Sequence, residues 1–202
     1  MISLTVLAFH RSRHLRRLSL ASCYDISGIY EEEYGFEDEG GGLIKAVKQF
    51  PELEELHLII MKAIGAEDIK AIGISCPMLK SFTFNNIWYS NSLSEEQELN
   101  EVAFAVAKNM PNLRRLGLIG NEMKNEGLQA ILEGCPHLES LDLRRCLNLD
   151  LGGDLGKRCS HQIKCLRRPS DSTHDYGWFA DDSYQHKSDS PDSDAWFFGY
   201  DY

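Results

Sequence analysis

The sequence lacks any apolar run long enough to cross a bilayer, which takes roughly 20 consecutive apolar residues. Its apolar start, Met1 to Phe9, has neither the positive beginning nor the small-residue cleavage site of a secretory signal. No membrane partner is therefore expected, and the reading places the chain in the cytoplasm or nucleus. Thiols stay reduced in those compartments, so the six cysteines are not read as a disulfide framework. Positive charge is also scarce, with 21 Lys and Arg against 31 Asp and Glu and a net charge of −10. Without a basic field to neutralise phosphates, nucleic acid is not expected as a partner. The deficit is local: Asp171 to Tyr202 holds eight Asp, one Lys187 and no Arg, and supplies −7 of the −10.

Signatures of catalysis are missing as well. A structural zinc site favours paired clusters such as C-x2-C, whereas Cys146, Cys159, His161 and Cys165 are irregularly spaced. Gly40-Gly41-Gly42 lacks the Gly-Lys-Ser/Thr ending of a phosphate loop and follows acidic residues that would repel phosphate. Nothing selects one cysteine and one histidine as a nucleophile and its base. The expectation is a chain that is not an enzyme and carries no metal and no cofactor.

What the sequence does have is a segment that occurs five times. Leu15-Arg16-Arg17-Leu18-Ser19-Leu20 returns as Leu53 to Leu58, Leu79 to Phe84, Leu113 to Leu118 and Leu138 to Leu143, usually with Pro two places ahead. The tightest spacings, 25 and 26 residues, match the period of leucine-rich repeats, each a short strand plus a helix. Between the segments lie stretches of helical period: Leu43, Val47 and Phe50; Ile64, Ile69 and Ile72; Val102, Phe104, Val106 and Ala107; Leu128, Ile131 and Leu132. Each helix is expected to stop before the next Pro, because the residue ahead of proline is pushed out of the helical region. Cys23, Cys76, Cys135 and Cys146 are read as occupants of equivalent buried repeat positions.

The expected fold is α/β, a right-handed strand–helix horseshoe in which no repeat buries its leucines alone. Residues 1–13 form a lead-in and 14–168 the repeat domain, closed by a degenerate sixth unit at Ile163 and Leu166. Residues 169–202 are an acidic, serine-rich and aromatic tail expected to be disordered. Two insertions, around Glu31 to Gly42 and Trp88 to Gln97, become surface loops, and Trp88 and Tyr89 are candidate partner contacts. Alternation along the strands turns the residues between the leucines to the opposite, exposed face. This inner wall is the candidate binding surface: Arg17, Ser19, Glu55, His57, Ser81, Thr83, Asn85, Arg115, Ser140, Asp142 and Arg144. Its chemistry suits a protein partner that can be hydrogen-bonded and salt-bridged.

Two units that end in Cys-Pro, Gly65 to Pro77 and Asn125 to Pro136, resemble the cysteine-containing leucine-rich repeat of F-box/LRR proteins. Leu18 to Ser27, Leu141 to Cys146 and Leu155 to Lys164 are similar to plant members of that family. The resemblance implies a substrate receptor of an SCF-type ubiquitin ligase acting in ubiquitin-dependent degradation, whose F-box binds a Skp-family adaptor and through it a cullin. No F-box is visible ahead of His14 in this sequence, so adaptor and cullin are not carried over as partners of the repeats themselves. The alternative expectation is a free-standing interaction module with no ligase attached.

Overall fold

In a computed structural model, residues 14–21, 42–59, 64–85 and 99–174 are described. They form six strands, β1 (Arg17–Ala21), β2 (Glu55–Ile59), β3 (Ser81–Asn85), β4 (Arg115–Ile119), β5 (Ser140–Asp142) and β6 (Cys165–Arg167). The intervening helices are α1 (Gly42–Val47), α2 (Ala66–Ser75), α3 (Glu101–Asn109), α4 (Asn125–Gly134) and α5 (Gly153–Gln162). All neighbouring strands are parallel, and spatial order follows chain order from β1 to β6. Among the described residues, no helix is long and apolar enough to cross a membrane.

The register explains why the leucines recur. Leu18, Leu56, Phe82, Leu116, Leu141 and Leu166 are successive partners across the sheet, so they form one continuous row. Leu20, Leu58, Phe84 and Leu118 form the next. Both rows join one apolar core with Val47, Ile69, Ile72, Val106, Leu128 and Ile131 from the helices. Each fully buried side chain of this kind contributes about 1.5–3 kcal/mol, and no repeat could collect that alone. Leu18 and Leu166, at the two ends, are only partly buried.

Proline punctuates the cycle as the chain chemistry demands. Cys76, Met110 and Cys135 precede Pro77, Pro111 and Pro136 and leave the helical region, with ψ of 66°, 55° and 71°. The carbonyls of Phe50, Cys76, Met110 and Cys135 then each accept a hydrogen bond from the N–H of the next Leu, at 3.0–3.3 Å. That turn aims the chain into the following strand.

Two readings of the sequence need correction here. Phe104 is 40 % exposed, and α3 buries Ala103, Ala105 and Val106 instead. The helix presents its small alanines to its neighbours: the space above Gly127 of α4 is filled by Ala103 Cβ and Asn100 Oδ1. The cysteines also fall into two sets. Cys76 and Cys135 end helices, while Cys146 follows β5. The degenerate sixth unit builds both α5 and the strand β6. The chain divides into two units, Met1–Asp171 and Ser172–Tyr202. The tail beyond residue 174, the insertions around residues 22–41 and 86–98, and Cys23 lie outside the described residues.

Candidate functional site

The strand face is built by a backbone ladder before any side chain is added. The residue just ahead of each strand accepts through its carbonyl and donates through its N–H, one repeat to the next. Glu54 N donates to Arg16 O, Lys80 N to Glu54 O, Arg114 N to Lys80 O and Glu139 N to Arg114 O, each at 2.8 Å. The first residue of the next strand shares the same carbonyl, as Ser81 N does with Glu54 O at 3.0 Å. Equivalent residues therefore stand in straight rows, about 4.8 Å apart.

In the first outward row, Arg17, Glu55, Ser81, Arg115, Ser140 and Cys165 are register partners. Arg115 of β4 reaches across β3 to Glu55 of β2, with Nη2 to Oε1 at 2.7 Å and Nε donating to Ser81 Oγ at 3.3 Å. Ser81 permits this because it is short, and it ends up buried beneath the guanidinium. Arg17 approaches Glu55 from the other side at 3.5 Å. One carboxylate is thus held between two arginines.

The second row is Ser19, His57, Thr83, Gly117, Asp142 and Arg167. His57 Nδ1 and Thr83 Oγ1 lie 3.0 Å apart in a hydrogen bond. Burial pulls the His57 pKa below its ordinary value, Glu55 opposes that shift, and Arg115 adds to it. That shift favours the neutral imidazole. Ser19 is exposed, and Ser140 and Asp142 are half-buried.

The exposed wall is narrower than alternation implies, and Ser81, Asn85 and Arg144 are corrections. The third row, Ile59, Asn85 and Ile119, is buried at 0–4 % exposure. The chain turns immediately after Ile119: Gly120 takes a positive φ of 69° and its N–H donates to Arg144 O, and Asn121 Oδ1 accepts from Met123 N. Arg144 is 2 % exposed and turned onto Asp142 by a two-pronged pair, Nε to Oδ1 at 2.9 Å and Nη2 to Oδ2 at 2.6 Å. Alternation fails there because β5 ends at Asp142, and the turn that follows brings Arg145 to a φ of 64°. Trp88 and Tyr89 lie outside the described residues.

The thiols are packing groups with donors attached. Cys76 Sγ donates to Val47 O and Phe50 O at 3.7 Å, Cys135 Sγ to Met110 O at 3.6 Å, and Cys146 Sγ to Leu118 O at 2.8 Å. Burial pushes Cys76 and Cys135 up to about 11 and Cys146 up to about 12, which suppresses the nucleophilic thiolate. Cys159 is buried with its pKa raised, whereas Cys165 is exposed. Among the described residues, no group of three or more His, Cys, Asp or Glu is arranged to hold a metal ion. An open depression of about 520 Å³ beside α5 includes Ser160 and Arg168, which bond each other at 3.1 Å, and Lys157, which pairs with Asp154 at 3.0 Å.

Sequence reading missed a second ladder, made by asparagines at the starts of the helices. Asn100 Oδ1 accepts from Lys124 N at 2.8 Å, and Asn125 Oδ1 from Asp150 N at 3.0 Å. The signal was present in the 25-residue spacing of these two asparagines.

Comparison with known proteins agrees with this architecture. The family model for the LRR repeats of FBD-associated F-box protein At5g56370 matches residues 92–173. The chain is 45 % identical over 165 residues to the Arabidopsis thaliana protein named "Putative F-box/LRR-repeat protein 23", covering 80 % of this chain and 33 % of that protein. It is 37 % identical over 187 residues to "Putative F-box/LRR-repeat protein 21" of the same plant, covering 87 % and 57 %. With Arabidopsis F-box protein SKIP19 the identity is 39 % over 166 residues, covering 82 % and 48 %. The chain thus spans between a third and somewhat over half of the length of these relatives.

Proposed function

The repeats of this chain belong to the plant F-box/LRR-repeat family, and from that premise we propose that they stack as a solenoid whose strand face captures a protein. In this reading the chain is the substrate-recognition part of an SCF-type ubiquitin ligase, working in the cytoplasm or nucleus. Residues 14–168 act as the recognition domain and 169–202 as an appended tail. The single observation that carries the reading is the pair of outward rows, which sets Arg17, Glu55, His57, Thr83, Arg115, Ser140 and Asp142 on a hydrogen-bonded backbone. Polar groups fixed in such rows lose little freedom when a partner pairs with them, so less of the interaction energy is consumed by ordering.

Two measurements test the proposal. Co-purification of the chain with a Skp-family adaptor and a cullin asks about the ligase, and retention of both is expected if the chain includes the means of recruitment. Failure of a folded chain to retain either one leaves a free-standing interaction module. Retrieval of the tagged chain from plant cells, with its partners identified by mass spectrometry, asks about the face. Arg115→Glu should lose proteins that Glu126→Lys, on the exposed side of α4, keeps. Identical partner sets from the two variants would remove the strand face from the account.

A further inference from the structure

The N-terminal edge of the sheet inverts the charge of the molecule. The residues just ahead of the strands run Arg16, Glu54, Lys80, Arg114, Glu139 and Lys164, and they are tied in order by ion pairs. Glu54 lies 3.3 Å from Arg16 and 3.0 Å from Lys80, and Glu139 lies 3.0 Å from Arg114 and 3.3 Å from Lys164. One residue further on, Glu55 is held between Arg17 and Arg115. Every glutamate in these two rows is shared by two cations, so six cations face three carboxylates and the stripe carries +3 on a chain of net charge −10. The turn before it adds only Glu52, which is itself paired with His14.

Height reinforces the imbalance. The cationic side chains are 46–80 % exposed, whereas the three carboxylates are only 21–43 % exposed, so the outermost layer is basic. Sharing also holds the Glu54 and Glu139 carboxyls below their ordinary pKa, through Lys80 and Lys164 first. These acids remain recessed anchors that keep the cations aligned. Lys80 and Arg114 are consecutive in the row with no acid between them, which makes them the most positive point of the stripe.

We propose that this edge is a docking stripe for an extended, carboxylate-rich peptide segment of the captured protein, with Lys80 and Arg114 at its centre. The proposal deepens the reading of the strand face given above and rests on it. Six strands about 4.8 Å apart give a stripe about 24 Å long, the reach of about seven extended residues. The interleaved carboxylates suit a peptide whose acids alternate with neutral residues. They suit a nucleic acid poorly, because continuous phosphates would meet Glu54, Glu55 and Glu139 as well.

The test is fluorescence anisotropy of a labelled peptide of alternating Glu and Ser titrated with the full chain. Saturable binding that weakens as salt is added is expected, since exposed charges are screened. Lys80→Glu combined with Arg114→Glu should weaken it more than about tenfold, while Lys70→Glu on α2 should change it less than about twofold. If the double variant does not fold, Lys80→Gln with Arg114→Gln is the substitute, with a smaller loss expected in the same direction. Absence of binding, equal binding of a Gln-Ser peptide, equal loss in Lys70→Glu, or tighter binding of a single-stranded oligonucleotide would each overturn the proposal. Should the peptide fail while Arg115→Glu still strips the chain of its cellular partners, only the acidic specificity falls. Should neither respond, the strand-face reading falls with it.

Discussion

Raising the pH from about 7 to about 11 is expected to destabilise the fold by about 7 kcal/mol through three thiols alone. Cys76 and Cys135 are pushed from 9.0 up to about 11 and Cys146 up to about 12, all by burial. The native pKa values are raised, so the contribution is fully present below pH 9. It is lost as the pH climbs toward the native values, because the unfolded chain releases these protons first. At about pH 11 each of the three thiols contributes about 2–3 kcal/mol to that loss. The total rivals the 5–15 kcal/mol that holds an ordinary domain folded, so an alkaline limit to stability follows.

Urea unfolding followed by circular dichroism, in reducing buffer across this pH range, measures the effect. A change of pH acts on the whole chain, so the comparison that isolates a thiol is Cys146→Ala. That variant should lose about 1–2 kcal/mol at neutral pH, from the cavity and the missing bond to Leu118 O. Between about pH 9 and about pH 11 it should then lose about 2 kcal/mol less than the parent. Parallel stability curves for the two proteins would refute the argument.

Arg144→Glu should cost about 3–5 kcal/mol because it breaks a buried pair, whereas Arg115→Glu at an exposed pair should cost about 1 kcal/mol or less; equal urea midpoints for the two would contradict the burial seen here. Gly73→Ala should destabilise by about 1–3 kcal/mol, since an added Cβ would sit 2.6 Å from Asn109 O, and an unchanged thermal midpoint would show that α2 and α3 approach less closely. In a Cys23→Ser background, a thiol reagent should label Cys165 alone in the native chain and reach Cys76, Cys135, Cys146 and Cys159 only after unfolding; native labelling of Cys135 would count against its burial.

The stacked rows were legible because a strict period converts one-dimensional spacing into a register. Once Leu113 and Leu138 are 25 residues apart, Leu116 and Leu141 must pair, and they do. Proline made the helix ends equally legible, through a constraint that acts on the neighbouring residue alone. The site was less legible, because alternation holds only while the strand lasts. Five-residue strands with three outward positions were expected, but the third position is buried at Ile59, Asn85 and Ile119, and the three-residue β5 releases Arg144 inward. Helical phase failed at Phe104 for a related reason: the tight approach of α3 and α4 admits alanine where the sequence offered a larger apolar residue one place on. None of these outcomes depends on residue type alone; each depends on what a neighbouring repeat brings opposite.

That dependence bears on function. All-parallel sheets ordinarily have both faces covered, and their strands read as continuous apolar runs. Here one face joins the apolar core, while the other carries arginine, serine, glutamate, histidine and aspartate whose side chains, the buried Ser81 apart, remain exposed or half-buried among the described residues. Stability alone gives no reason to stand Arg17, Arg115 and Glu55 together on a sheet, because exposed pairs contribute little, about 0–1 kcal/mol. Their value lies in order: a guanidinium already anchored on Glu55 and Ser81 presents its remaining donors in one direction. A partner segment laid across the strands would meet such a group every few ångströms, repeated by the same register that stacks the leucines behind it. Replacing one anchored arginine should consequently harm capture far more than it harms folding, and it is this separation of the two effects that Arg115→Glu measures.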